Sequence, residues 1–283
     1  MNRLLRRIGL TAVPSADAAG LRTVHRAFVS RVPYEDLAVQ LGESGPLDPH
    51  ALIQRVLGGG RGGYCFENNT VLHALLAALG FAVERRQGNV GPRDSYARGE
   101  PTNHLVLVVH TPDAGPFIAD AGLGEGPLNP LPLAEGPVRA GAFELAIERE
   151  CDGWWVAQHE FGSFPGFRFS DRPATLADFQ SHHLRLSTSA ESNFVKTLIV
   201  QRPFDDRIIT LRARTLFVDG PGRRERRILE DIDAFAGALR ELLWDPPRGA
   251  GSGWARPAVG QGHCSSGPLN HPRIGSIAGP LAT

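Results

Sequence analysis

The spacing of apolar residues changes near residue 85, and this change constrains the fold more than any other feature of the sequence. Between residues 15 and 85 apolar residues recur at helical spacing, and Gly80 stands where the last helix would end. Residues 83–160 instead contain short apolar runs separated by Gly, Pro and Asp, which is typical of antiparallel strands. The sequence therefore predicts an α+β chain with a helical first part and a β-rich middle.

The rest of the chain predicts a smaller mixed unit and an irregular tail. Residues 175–183 and 228–243 have helical spacing, whereas residues 198–201 and 208–218 have the composition of strands. From Asp245 onward, 8 Gly and 6 Pro among 39 residues indicate irregular chain.

Charge and apolar content exclude several classes of protein. Lys+Arg and Asp+Glu number 30 each in 283 residues, so no net positive field attracts nucleic acid. The apolar runs are shorter than the roughly 20 residues that span a bilayer, and residues 1–10 lack the apolar core of a secretory signal. Three cysteines cannot all pair. We therefore expect a cytoplasmic protein that binds neither nucleic acid nor a membrane.

A glycine-rich segment at residues 58–63 leads to Cys65, which begins a predicted helix. Unpaired N–H groups and the helix dipole at such a position favour an anion, so they promote the thiolate and can also receive an oxyanion. The segment lacks the Lys-Ser/Thr ending of a phosphate-binding loop. A lone cysteine is more often a buried apolar residue, so the hypothesis of a nucleophile requires a base.

His104 and Asp120 are the candidate base and the group that orients it. Each stands at the end of a short apolar run, and a hairpin centred near Pro112 would pair positions whose numbers sum to 224. That register places His104 opposite Asp120, where mutual hydrogen bonding removes the cost of burying each side chain alone. The alternative is an ordinary buried histidine and a turn aspartate.

The chain resembles the arylamine N-acetyltransferase family in five segments. They are residues 32–37 (VPYEDL), 61–69 (RGGYCFENN), 103–107 (NHLVL), 119–124 (ADAGLG) and 192–195 (SNFV). The resemblance implies a helical bundle at 1–85, an antiparallel β-barrel at 86–190, an α/β lid at 191–245 and a Gly/Pro-rich tail at 246–283.

The resemblance also implies a reaction and its residues. An acetyl group would pass from acetyl-CoA to small aromatic amines or hydrazines by a ping-pong mechanism, with Cys65 as nucleophile, His104 as base and Asp120 as its orienting group. CoA contacts are expected at Gly122, Gly124 and Gly126, and acceptor contacts at Tyr34, Phe66, Leu123 and Phe194. Leu123 replaces an aromatic residue that the family usually has, which widens the predicted acceptor pocket.

Three other functions fit the same residues. An amide synthase of the same family would close a macrolactam from a carrier-bound thioester, a thiol hydrolase would pass the acyl group to water or lysine, and a binding protein would do no chemistry. The sequence is also compatible with a homo-oligomer.

The remaining histidines and cysteines do not predict a metal site. The pair His182-His183 and the set His263, Cys264 and His271 lack the paired spacing of a zinc site, so no metal is expected. Cys151 is expected to be a bystander in a hairpin. Arg61 and Glu67 are expected to pair with each other and to shape the loop before Cys65.

Overall fold

The computed structural model describes residues 1–95 and 97–243, and helices form the first part of this described chain. They are α1 (Asn2–Arg7), α2 (Ala18–Arg31), α3 (Leu37–Gln40), α4 (Pro49–Leu57) and α5 (Cys65–Ala78), with a two-residue strand β1 (Tyr34–Glu35) between α2 and α3. The helix α2 begins after Asp17, whose carboxylate accepts a hydrogen bond from Gly20 N at 2.8 Å.

An eight-stranded antiparallel sheet follows and forms a nearly closed barrel. Its strands are β2 (Ala82–Val90), β3 (His104–Thr111), β4 (Gly115–Ile118), β5 (Leu131–Pro132), β6 (Gly136–Ala140), β7 (Phe143–Glu150), β8 (Gly153–Ala157) and β9 (Gly166–Ala174), in the spatial order β5-β4-β3-β2-β9-β8-β7-β6. The predicted α+β fold class, with helices before an antiparallel barrel, is confirmed.

A second sheet of five strands follows the barrel in the described chain. A 3₁₀ helix (Leu176–Phe179), α6 (Gln180–Thr188) and α7 (Asn193–Lys196) lead to β10 (Ile199–Pro203), β11 (Ile208–Arg212), β12 (Thr215–Gly220), β13 (Arg223–Ile228) and α8 (Ile232–Leu243). The sheet has the order β1-β10-β11-β12-β13, so a strand from the helical part completes it.

Two local predictions for this second sheet are wrong. Residues 208–218 do not form one strand, because Ala213, with φ of 49°, turns the chain between β11 and β12. Residues 228–243 are not helical throughout, because Ile228 ends β13 and α8 begins at Ile232. The predicted tail at 246–283, with His263, Cys264 and His271, lies outside the described residues. Among residues 1–95 and 97–243, no helix is long and apolar enough to cross a membrane.

The strand β3 separates two hydrophobic cores. Leu105 and Leu107 pack with the helices, whereas Val106 and Val108 pack inside the barrel. Side chains alternate between the two faces of a strand, so His104 lies on the barrel side, where its ring contacts Phe167 edge-on at 5.5 Å between centroids. The amino end of β3 therefore lies at the junction of both cores.

The hairpin of β3 and β4 has a different register from the predicted one. Val109 pairs with Phe117 and Thr111 with Gly115, so paired numbers sum to 226 and not to 224. The turn is centred one residue later than Pro112. A shift of the sum by two keeps each side chain on its predicted face of the sheet. The error in register therefore does not separate His104 from Asp120.

Candidate active site

Cys65 is the first residue of α5 and its side chain is buried, with 3% of its surface exposed. Its thiol lies 3.4 Å from the backbone oxygen of Asn103 and donates a hydrogen bond to it. The preceding residue is fixed by Glu67, whose Oε2 accepts from Tyr64 N at 3.3 Å. The helix α5 therefore places the thiol next to the residue that precedes β3.

His104 and Asp120 form the central contact of the site. His104 Nε2 lies 2.6 Å from Asp120 Oδ2, and both side chains are buried. Because Nε2 faces the carboxylate, Nδ1 is the nitrogen left for a second partner. The His104 imidazole also interacts with the Cys65 thiol. The structure thus brings together all three residues predicted as a triad, in the order thiol, imidazole, carboxylate.

Asp120 is held by two further donors. Asn69 Nδ2 donates to its Oδ1 at 2.7 Å, and Gly122 N donates to the same oxygen at 2.8 Å. Sequence reasoning missed Asn69 as part of the site. The signal was present, because Asn69 follows Cys65 by four residues and side chains at that spacing share one face of a helix.

The electrostatics of the buried pair favour the ionised forms. Burial lowers the pKa of His104, but the charge of Asp120 and the hydrogen bonds that the imidazolium donates to Asp120 and to Cys65 outweigh burial and raise the pKa from 6.5 to about 10. Burial raises the pKa of Asp120, but the charge of His104, together with hydrogen bonds from His104, Asn69 and Gly122, brings it below its ordinary value. An imidazolium beside a carboxylate is therefore the favoured state at neutral pH.

The predicted CoA-binding glycines pack against protein atoms. A Cβ on Gly122 would lie 2.7 Å from Cys65 Cα, and one on Gly124 would lie 2.4 Å from the Oε1 atom of Gln201. The N–H groups of Gly122 and Gly126 donate to Asp120 Oδ1 and to Leu123 O. Close packing therefore explains the glycines at 122 and 124, while CoA binding by this loop stays a prediction.

The structure places the four predicted acceptor residues in different surroundings, and their contact with an acceptor stays a prediction. Phe66 is fully buried, 5.5 Å from the ring of Phe179, and Leu123 belongs to the barrel core. Phe194 is half-buried, with its ring 4.8 Å from that of Tyr64. Burial raises the pKa of Tyr34 well above its usual value, and the negative charge of a Cys65 thiolate raises it further. Tyr34 therefore interacts electrostatically with the thiol.

Two partly buried ion pairs fix the glycine-rich loop before Cys65. Arg61 Nε lies 2.9 Å from Glu35 Oε1, and Arg55 pairs with Glu67 Oε1 at 2.8 Å. The predicted pairing of Arg61 with Glu67 is therefore wrong. The carboxylate of Glu35 also accepts a hydrogen bond from Gly62 N at 3.1 Å. The side chain of Glu35 in β1 therefore holds both a side chain and a backbone N–H of the loop.

The other histidines and cysteines have separate surroundings. His183 hydrogen-bonds through Nδ1 to the hydroxyl of Tyr64 at 2.5 Å and through Nε2 to Gly45 O at 2.7 Å. Cys151 is an exposed free thiol in the turn between β7 and β8. In the part of the chain that the structure describes, no three His, Cys, Asp or Glu side chains are grouped as metal ligands.

Comparison with known proteins identifies relatives of this chain. The sequence profile of a family described as N-acetyltransferase matches residues 17–243. The arylamine N-acetyltransferase of Mycolicibacterium smegmatis is 34% identical to this chain over 227 residues, which are 78% of this chain and 82% of that protein.

Solved structures agree in fold over most of the chain. The M. smegmatis arylamine N-acetyl transferase superposes with a TM-score of 0.76 at 29% identity, covering 85% of this chain and 90% of that one. The Mycobacterium marinum arylamine N-acetyltransferase in complex with CoA gives the same TM-score, identity and coverage. The family match at residues 17–243 spans the helices from α2 onward, the barrel and the second sheet.

Proposed function

The chain belongs to the arylamine N-acetyltransferase family, and from that premise we propose that this acetyltransferase moves an acetyl group from acetyl-CoA to an arylamine or arylhydrazine through an acetylated Cys65. The observation that carries the proposal is the contact of 2.6 Å between His104 and Asp120 beside Cys65, the first residue of α5. The CoA complex of the M. marinum relative supports CoA as the carrier of the acyl group.

The first half-reaction acylates the enzyme. Cys65 transfers its proton to His104, and the resulting thiolate attacks the carbonyl carbon of the acetyl thioester. The bond between that carbon and the CoA sulfur breaks, and the imidazolium of His104 returns the proton to the leaving CoA thiolate. The products are free CoA and an acetyl thioester on Cys65.

The second half-reaction transfers the acetyl group to the acceptor. The amine nitrogen attacks the thioester carbon, the bond to Cys65 breaks, and His104 accepts the proton that the amine loses. The thiolate and the imidazolium are regenerated together with an N-acetylated product. Because CoA leaves before the amine reacts, the kinetics are ping-pong.

Asp120 acts through His104 in both half-reactions. Its carboxylate contacts Nε2 of the imidazole, which leaves Nδ1 for Cys65, and it stabilises the imidazolium. The N–H of Cys65 is the candidate donor to the oxyanion, since the first N–H groups of a helix have no intrahelical partner. The loop at Gly122, Gly124 and Gly126 lies beside the acyl donor in this arrangement, because Gly122 contacts Cys65.

Intact mass measurement tests the proposal directly. The protein mixed with acetyl-CoA alone should gain one acetyl group, and the adduct should disappear when an arylamine is added. Cys65→Ala should form no adduct, whereas Cys151→Ala, which removes an exposed thiol outside the site, should acylate like the parent.

The same experiment separates the alternatives. A folded protein that forms no adduct with acetyl-CoA but is acylated by a carrier-bound thioester would be an amide synthase. An adduct that is lost rapidly without amine would indicate a hydrolase. Neither result is compatible with the proposed acetyl transfer.

A further inference from the structure

His25 is a fully buried histidine behind the proposed triad. It lies in the middle of α2, and its Nδ1 is 2.8 Å from the backbone oxygen of Leu128. A carbonyl oxygen only accepts hydrogen bonds, so Nδ1 carries the proton and donates it. His25 therefore fixes the end of the loop 120–128, which begins with Asp120 and forms most of the connection between β4 and β5.

The second nitrogen of His25 faces the beginning of the same loop. Nε2 approaches the backbone oxygen of Asp120 but forms no well-aligned hydrogen bond, and it has no other partner among the described residues. Burial lowers the pKa of His25, although Leu128, the charge of Asp120 and its backbone oxygen oppose this. The imidazole is therefore neutral, and Nε2 is a buried acceptor that requires a donor.

A small cavity beside His25 offers a place for such a donor. It is lined by His25, Asp120, Asn129 and Gln158 together with apolar side chains of the barrel, and it has room for about one water molecule. Gln158 Nε2 is also buried without a hydrogen-bond partner in the described chain. One water molecule that accepts from Gln158 and donates to His25 Nε2 would satisfy both groups.

We propose that His25 is a positioning residue for the acyl transfer, holding the loop 120–128 at both ends: directly at Leu128, and beside Asp120 through a water molecule shared with Gln158. The inference rests on the proposed roles of Cys65, His104 and Asp120. Asp120 is the first residue of this loop, so a loop that shifts moves the carboxylate away from His104 Nε2. The imidazolium is then less stable, so it supports the Cys65 thiolate less well.

Alkylation of Cys65 by iodoacetamide as a function of pH, followed by intact mass, measures thiolate formation without any acyl donor. The parent and all variants in this assay carry Cys151→Ala and Cys264→Ala, so that Cys65 is the one thiol available for alkylation. On the rising part of the parent curve, His25→Leu should slow alkylation by about three- to tenfold, which corresponds there to a displacement of the curve by about half to one pH unit towards higher pH. If the role of His25 were merely structural, His25→Leu would lower the melting temperature, and the alkylation curve of the folded protein would coincide with that of the parent.

Conservative variants separate the two ends of the loop. His25→Asn keeps a donor in the position of Nδ1 but removes Nε2, and Gln158→Leu removes the other partner of the water. Both should displace the curve in the same direction as His25→Leu but by less. Val24→Ala, a truncation of a buried apolar side chain on α2, should lower stability without displacing the curve.

The outcomes distinguish this inference from the proposed function. A folded His25→Leu variant with the parent curve overturns the role of His25 if Asp120→Asn displaces the curve in the same assay. If Asp120→Asn also leaves the curve unchanged, the proposed triad itself is wrong. Parent curves for both His25→Asn and Gln158→Leu would refute the shared water.

Discussion

Asn69 lies one turn of α5 after Cys65, and its side chain holds Asp120. Nδ2 donates to Asp120 Oδ1 at 2.7 Å and to Leu105 O at 2.6 Å, and Oδ1 accepts from Ala121 N at 2.8 Å. A single helix therefore presents the thiol and fixes the carboxylate of the proposed triad. The distance between them is set by the geometry of α5 and does not depend on a loop alone.

Replacing Asn69 should impair both stability and acylation. Asn69→Ala leaves the buried N–H of Ala121 unsatisfied and removes one donor from Asp120, which should lower the free energy of unfolding by about 2 to 3 kcal/mol. We expect the rate of Cys65 acylation to fall by about tenfold, because a looser carboxylate orients the imidazole less well. Urea denaturation and the rate of adduct formation measure the two effects.

Asn68→Ala is the matched control. Asn68 is equally buried on the same helix but donates instead to Pro33 O and, at 3.4 Å, to Ala121 O. It should cost comparable stability while the acylation rate of the folded protein stays near that of the parent. Equal losses of acylation in both variants would mean that Asn69 has no specific effect on the triad.

The His104–Asp120 pair should make stability depend on pH in a defined window. The pKa of His104 is raised from 6.5 to about 10, so its contribution is complete below pH 6.5 and is lost as the pH rises through 10. The pKa of Asp120 is lowered, so its contribution is present above pH 3.8 and is lost as the pH falls. The pair should therefore stabilise the fold most between about pH 4 and 6.5.

The reference for this measurement is the double variant His104→Gln/Asp120→Asn, in which neither group titrates. The difference in free energy of unfolding between parent and double variant should be largest near pH 5 to 6 and should shrink towards pH 9.5. A difference that stays constant over this range would show that the two groups do not form a charged pair.

The sequence predicted the triad contact but not its exact support. His104 and Asp120 meet although the predicted hairpin register is wrong, because the error in the sum of paired positions is even and preserves the face on which each side chain lies. Periodicity therefore suffices to predict which residues point into the same layer. It does not determine how far along a strand each residue lies from its partner.

Ion pairs between residues far apart in the sequence could not be predicted from it. Arg61 pairs with Glu35 and not with Glu67, because the pairing of β1 with β10 and its bridge to Gly63 bring residue 35 next to the loop. The charge pattern near Cys65 contains no information about that approach. The same limit explains the missed strand at Tyr34–Glu35, since two residues are too few to show a period.

Glu125 should destabilise the fold above neutral pH. Burial raises the pKa of this side chain to about 7, although hydrogen bonds from Ser163 and Gln201 oppose the rise. Its pKa in the folded state lies above the ordinary 4.5, so the neutral form is favoured, and stability is lost as the pH rises from 4.5 through 7. The neutral variant Glu125→Gln should therefore be more stable than the parent at pH 8.5, by on the order of 2 to 4 kcal/mol.

Urea denaturation at pH 5 and at pH 8.5 checks this expectation. The two proteins should have similar midpoints at pH 5, where the parent carboxyl is largely protonated. Glu160→Gln, the same substitution at an exposed carboxyl, should change neither value. If the parent were the more stable protein at pH 8.5, the carboxylate would be stabilising and the assignment of its raised pKa would be wrong.

Gly122→Ala should separate the loop that carries Asp120 from the helix that carries the thiol. An added Cβ would lie 2.7 Å from Cys65 Cα and 2.8 Å from Asn69 Nδ2, distances that close-packed atoms do not tolerate. Either α5 or the loop must move, and both hold parts of the triad, so adduct formation should slow by about tenfold with a loss of roughly 1 to 3 kcal/mol in stability. Gly45→Ala is the control, because no heavy atom of the described residues lies within 4 Å of a Cβ there. A folded Gly122→Ala variant that acylates at the parent rate would show that the close approach of loop and helix is not needed for the reaction.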